Sequence, residues 1–472
     1  MRLTWAQPED LLPHEFVQAA HEGRDIRPFV QEWVAAGGGV EPIASGASPT
    51  PASPERRELA RRLLDEVGRT APDPRLDVDQ PSDWESIARL LADGRTAPAA
   101  GGRGRGIPEP AELRRRLHGA WLGRCCGCVT GKPVEKIPRE GIREILLSAG
   151  RWPLDRYFTA VGVAPEVLAR WPWNRRSAPT SLEENIDGMP EDDDLNYPLL
   201  ALDLLEGRGA AFTTDDVAEL WLASMPAGRC FTAERATYRN ILDARPVPET
   251  ATHVNPFREW IGAFIRGDVF GWVNPGDPLR AAQWAWRDAR LSHVRNGIYG
   301  EMWTAALASA SLVSGSAEEA LDVAGQVLPP RSELAAAVRL GRELGTATAG
   351  GLDPWESSGP AIDRALDALH AAYGHLHWVH VLNNAATTAF ALSAGRGDFR
   401  RSVALGVMAG WDTDSVGATI GSVVGALGGP EAVPGDLAGP IHGRLETTLP
   451  GGGVHRLSDL VDRTQRLAEA LR

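Results

Sequence analysis

Four carboxylates stand in a row at 191–194, Glu191, Asp192, Asp193 and Asp194, and the apolar run LNYPLL follows at once. Adjacent carboxylates repel, and a cation is what makes such crowding favourable. Hard oxygen donors in this number suit magnesium, manganese or calcium. A second acidic group lies in GWDTDSVGATIGSVVGALGG (410–429), where Asp412 and Asp414 flank Thr413 and Ser415 follows. In both places the aspartates precede an apolar segment of helical character. A helix N-terminus favours one carboxylate as a cap; three at one end and two at the other exceed that need. Brought together, two such groups hold two ions roughly 3.5–4 Å apart. The competing reading is two unrelated solvated acidic turns.

The elements that must position these residues are helices. Gly417, Gly421 and Gly425 recur every fourth residue, so they share one helical face and admit another backbone closely. Ser415 reads as that helix's cap, and Pro198 as a first-turn proline in the helix after EDDD. From residue 108 onward the apolar spacing is almost wholly near 3.6. VAELWLASM, AAQWAWRDARL, GEMWTAALASASLV, RSELAAAVRLGRELG, AIDRALDALHAAY, NNAATTAFALSA and FRRSVALGVMAG all show it. Alternating strand patterns are scarce. The expectation is an all-α fold: residues 108–472 as the functional domain, and 1–107 as an N-terminal helical extension with a Gly/Pro/Arg-rich linker at 95–110.

Bulk properties narrow the function. The 472 residues carry a net charge of −13, which argues against a general nucleic-acid binder. No segment approaches ~18 consecutive apolar residues, so no membrane span is expected. The N-terminal MRLTWAQPEDLLPHEF holds acids and prolines where a secretory signal carries an apolar core, and a cytoplasmic protein is expected. Cys125, Cys126 and Cys128 crowd together and Cys230 stands alone. That spacing is neither a disulfide framework nor a zinc knuckle, and small buried thiols are the reading.

EDDDLNY and GWDTDS, taken with GAWLGRCCGCVTGKPVE (119–135), resemble the ADP-ribosylglycohydrolase family, over roughly 108–430. The resemblance implies an orthogonal helical bundle, a dinuclear magnesium or manganese centre, and hydrolysis at the anomeric ribose carbon of ADP-ribosyl groups. It implies that Asp193 and Asp194 are the early metal aspartates and Asp412 and Asp414 the late ones, with Ser415 as a hydroxyl ligand. Asp192 stands where the family has a threonine ligand, and Cys128 where it has an aspartate. Glu135 matches a glutamate near the ligand. IGAFIRGDVFGWVNPGDP resembles the family's glycine-rich loop near ribose and phosphates, with Arg266, Asn274 and Gly276 as candidates. ARLSHVRNGIYGEMW resembles its Thr-His segment, which gives His293. HLHWVHVLNN adds His377, His380, Asn383 and Asn384 as substrate-binding candidates, or as groups that satisfy one another.

The chemistry expected is attack on the anomeric carbon by a metal-positioned water, with Glu135 or Asp193 taking its proton and no covalent intermediate. The substrate is a small ADP-ribosyl or ribosyl compound, free or carried on protein. GKP at 131–133 lacks the spacing of a phosphate-binding loop. Sixteen tryptophans, some paired with arginine in WPWNRR (171–176) and WAWRDAR (284–290), read mainly as core and secondarily as stacking surface. The insertion 136–190 reads as a loop over the site. Two other readings are a class I terpene synthase, whose second metal motif is not evident, and a sensor that binds ADP-ribose or a nucleotide without turnover.

Overall fold

The computed structural model describes residues 2–94, 106–349 and 358–471. The linker read at 95–110 falls mostly on residues 95–105, outside the described residues. The rest is helical, as the spacing predicts: the quoted segments lie on helices Thr214–Ser224, Pro278–Ala289, Arg295–Ser311, Glu333–Ala349, Pro360–Tyr373, Val381–Gly395 and Phe399–Met408. One sheet occurs among the described residues, an antiparallel hairpin of Arg444–Thr447 with Gly453–Arg456.

At the centre two helices lie backbone to backbone. Pro110–Gly131 begins with proline at its first position, where no N–H is needed. Thr413–Gly428 carries the expected glycine stripe, and its partner is a second stripe on the first helix. A Cβ added at Gly119 would lie 2.1 Å from the Gly425 oxygen, at Gly123 2.1 Å from the Gly421 oxygen, and at Gly127 1.9 Å from the Gly417 oxygen. At Gly131 it would lie 2.1 Å from the Thr413 oxygen. Real side chains do not tolerate such distances, so these glycines set how closely the helices approach, and the gain is dispersion along the seam. The antiparallel register brings the C-terminal end of the first helix to the N-terminal end of the second. Thr413 Oγ1 joins the two ends by donating to the Gly131 oxygen at 2.8 Å. Pro133 then stops the first helix in a short 3-10 turn, Lys132–Val134.

Helix Asp193–Arg208 starts at EDDD. Asp192 is its N-cap, extended at φ −157° and ψ 150°, and its Oδ1 accepts the Asp194 N–H at 2.8 Å. Pro198 lies one turn further in than the first-turn placement read from sequence. A proline there leaves the Asp194 carbonyl without its helical donor, and Arg124 Nε supplies one at 2.9 Å. The segment before EDDD is fixed to the hairpin by a single bridge, with Met189 N–H on the Arg444 oxygen at 2.9 Å and Glu446 N–H on the Met189 oxygen at 2.9 Å.

The N-terminal segment packs on the bundle through buried charge. Arg258 lies between Glu15, at 2.9 Å, and Glu22, at 2.7 Å. Arg295 reaches Glu259 at 2.6 Å, and Gln18 donates to the same carboxylate at 2.8 Å. Buried pairs of this kind fix orientation more than they add stability. Trp5 completes the contact, edge-on to Phe257 and Trp260 with ring centroids 5.4 and 5.7 Å away.

Candidate active site

The two acidic segments meet in one cavity of about 1320 Å³. Asp192, Asp193 and Asp194 enter from the start of their helix, Asp412, Asp414 and Ser415 from the start of the glycine-striped helix, and Glu135 from the turn that follows Gly131; all line it. The late loop needs unusual backbone: Gly410 has φ +82° and Trp411 φ +69°. Trp411 is held there by stacking on His370, centroids 4.1 Å apart, and Asp412 N–H donates to Asn384 Oδ1 at 3.2 Å. Asp412, not Ser415, occupies the N-cap position. Ser415 Oγ instead donates to Asp194 Oδ2 at 3.2 Å and ties the two segments together.

Charge is distributed unevenly. Burial pushes the Asp193 and Asp412 carboxyls well above the ordinary range, and their carboxylate neighbours push further. Asp414 is raised to about 7, by burial first and then by Glu135. Burial also works against ionised Asp192, yet Lys132 outweighs it and holds that carboxyl below its usual value. Lys132 is itself buried, paired with Asp192 Oδ2 and 3.3 Å from the Glu191 oxygen. Asp194 is pushed up by burial first and then by Asp192, with Arg124 opposing: Arg124 Nη2 lies 3.4 Å from Asp194 Oδ1 and 2.7 Å from the Ile265 oxygen, and its Nη1 reaches Asp268 at 2.7 Å.

A family model described as ADP-ribosylglycohydrolase matches residues 109–471. The chain belongs to the ADP-ribosylglycohydrolase family. A solved structure described as "ADP-ribosylglycohydrolase-related protein complex" is similar to it at 23% identity and TM-score 0.45, over 76% of this chain and 98% of that one. No curated protein matches the sequence. No helix among the described residues is long and apolar enough to cross a membrane.

Family membership brings divalent ions into question, and the donors divide into two groups. Glu135, Asp412 and Asp414 place carboxylate oxygens within 4.8 Å of one another; this hard, all-oxygen set fits magnesium or manganese. Cys128, Asp192 and Asp194 are equally close, but they fit poorly. Burial raises the Cys128 thiol far above its ordinary value, and a protonated thiol is no ligand for a hard ion.

Several residues read from sequence as ligand contacts of this ADP-ribosylglycohydrolase-family chain lie behind the wall. Arg266 is 1% exposed, bound to Asp288 at 2.5 Å, Glu234 at 2.7 Å and Ser292 Oγ at 3.1 Å. Asn274 donates to the Phe270 oxygen at 2.8 Å, and Gly276 takes a turn at φ +76°. His293 bonds Ser292 Oγ through Nδ1 at 2.7 Å. His377 stacks on Trp260 with centroids 4.3 Å apart, and His380 caps helix Val381–Gly395. Asn383 donates to the His377 oxygen at 3.1 Å and Asn384 to the His380 oxygen at 2.8 Å. None of these eight lines the cavity.

The insertion 136–190, read as a loop over the site, and its WPWNRR motif, read secondarily as stacking surface, do line it, through Trp171, Trp173, Asn174, Arg175 and Arg176. Lys132, quoted only as part of a failed phosphate-loop match, lines it unforeseen. That insertion carries helices Arg139–Ser148, Pro165–Arg170 and Ala178–Ser181. Asn174 Nδ2 donates to Glu135 Oε2. Arg229 and Glu234 follow from beyond Thr214–Ser224, and Thr4, Trp5 and Ser45 come from the N-terminal segment. The WPWNRR motif was the available signal; the N-terminal residues carried none.

Proposed function

We propose that this chain is a metal-dependent glycohydrolase acting at the anomeric ribose carbon of an ADP-ribosyl or related N- or O-ribosyl substrate. The observation that carries this reading is the convergence of Glu135, Asp193, Asp412 and Asp414 on one large cavity whose lining also holds Arg175, Arg176 and Arg229. Carboxylates at one part of the cavity suit a divalent ion and a polar ribose; guanidinium groups elsewhere suit a diphosphate. A divalent ion held by Glu135, Asp412 and Asp414 would orient the ribose diol and a water. Glu135, held by Asn174 on one oxygen, accepts a proton from the water as its oxygen bonds to the anomeric carbon. The glycosidic bond breaks, and the leaving nitrogen or oxygen takes a proton. Asp193, buried among like charges, holds a proton readily, which suits it to supplying one. The tryptophans of WPWNRR give the flat end of the substrate a surface.

The volume is ample for a small ribosylated metabolite as well as for an ADP-ribosyl group. Asp414→Asn and Asp193→Asn test the reading. Both are expected to keep the fold and lose turnover, Asp414→Asn with divalent-ion binding weakened at least tenfold and Asp193→Asn with that binding largely kept; unchanged turnover in both variants sinks it.

A further inference from the structure

We infer that the Lys132 ammonium takes the place of one cation of the family's pair, so that this chain binds a single divalent ion. The inference rests on the metal-dependent reading above and concerns its stoichiometry.

On one side of the cavity every carboxylate oxygen is already engaged. Asp192 gives Oδ1 to the Asp194 N–H at 2.8 Å and Oδ2 to Lys132. Asp194 gives Oδ1 to Arg124 at 3.4 Å and Oδ2 to Ser415 Oγ at 3.2 Å. Lys132 also takes the Glu191 backbone oxygen, at 3.3 Å. A carboxylate and a carbonyl are the donors a hard ion would use, and here a compact, buried point charge has them. A second ion in this group would meet the fixed positive charge of Lys132 at low dielectric, where repulsion is strong.

The other side is the reverse. Asp193, Asp412, Asp414 and Glu135 line the cavity together; Lys136, half exposed, stands 3.5 Å from Glu135, and Lys132 acts on Asp414 from the other side. In this group no cation is seated on the carboxylate oxygens of Asp412 and Asp414 as Lys132 is on Asp192, and the three-carboxylate set of Glu135, Asp412 and Asp414 has room for one divalent ion. Asp192 and Lys132 therefore belong together: the aspartate that replaces a hydroxyl ligand adds a negative charge, and the lysine cancels it. Within the early half the chain itself seats a cation on Asp192 and another beside Asp194.

The test is to strip the full-length protein with EDTA, add Mn²⁺, count bound ions by equilibrium dialysis with elemental analysis, and record the electron paramagnetic resonance spectrum. One ion per chain is expected, with the spectrum of an isolated Mn²⁺. Lys132→Met is expected to admit a second ion and produce an exchange-coupled pair. Two coupled ions in the wild type overturn the inference and leave the hydrolase reading intact. Substrate cleavage in EDTA with no bound Mn²⁺ overturns the metal-dependent reading and this one with it. The wild-type count decides the matter even where the variant does not fold.

Discussion

Arg124 donates from Nε to the backbone oxygen of Asp194 at 2.9 Å, where residue 198 would have donated had it not been proline. One residue of the first helix thus repairs the second turn of the helix that begins at EDDD. The same guanidinium holds Asp268, whose other oxygen accepts from Ser422 on the glycine-striped helix. Three elements that carry the cavity are tied through one buried cation.

Arg124→Met is therefore expected to cost about 3–5 kcal/mol, the range for leaving a buried carboxylate unpaired. Chemical denaturation measures it. Arg124→Lys should recover part of the loss but not all, since one ammonium does not reproduce three divergent donors.

The central seam makes a sharper contrast. Gly421→Ala puts a methyl 2.1 Å from the Gly123 oxygen and should cost about 1–3 kcal/mol or more, as overpacking does. It should also weaken Mn²⁺ binding, because the same helix presents Asp412 and Asp414 at its start. Gly325→Ala, at the end of helix Ala317–Gly325 with nothing within 4 Å, should shift stability by less than about 1 kcal/mol, upward. Melting temperatures of the two variants check the pair.

Some of this was legible in the sequence and some was not, for definite reasons. The 3.6-residue spacing gave the helices because most are long and periodic. The central ones, such as Arg295–Ser311, are buried nearly all round and so have no polar face to mislead. The hairpin escaped because RLET and GVHR are short and mixed in polarity. EDDD and GWDTDS pointed to one cavity because carboxylates in that number have few other uses. Half of the glycine seam was read at 417, 421 and 425; the matching period at 119, 123, 127 and 131 was equally visible. Arg266 read as a ligand contact because its partners, Glu234, Asp288 and Glu301, are far apart in sequence and meet only in the fold. Lys132 escaped because an ion pair with Asp192, sixty residues away, has no local signature.

The N-terminal segment supplies part of the cavity wall, which gives a test of its role. Ser45, which lines the cavity, and the Ala44 oxygen, which accepts from Trp378 Nε1 at 3.4 Å, lie on the same loop. Ser45→Trp is expected to raise KM several-fold with kcat little changed, while the melting temperature stays within a few degrees. Steady-state kinetics on the best substrate checks it.

Docking of that segment should weaken in alkali. His21 is raised to about 9 by its hydrogen bond to Glu333, with burial opposing and Glu259 helping. A histidine raised in the folded state contributes stability that is complete below its unfolded value and is lost as pH rises through the folded one. Between pH 6.5 and 9 the His21–Glu333 link should therefore fade, by on the order of 1 kcal/mol after solvent screening. Hydrogen exchange in helix Pro8–His21 should rise across that window beyond the intrinsic base-catalysed rate. His21→Gln should abolish the excess.

The most direct measurement is release of free ADP-ribose, followed by mass, from a panel of arginine-, serine- and O-acetyl-linked ADP-ribose, NAD and simple nucleosides. Each is incubated with Mg²⁺, Mn²⁺ or EDTA. The account predicts metal-dependent cleavage of at least one ribosyl bond, lost in Asp414→Asn. No cleavage of any member, with Mn²⁺ and ADP-ribose still bound by calorimetry, would contradict it and leave a binding protein in its place.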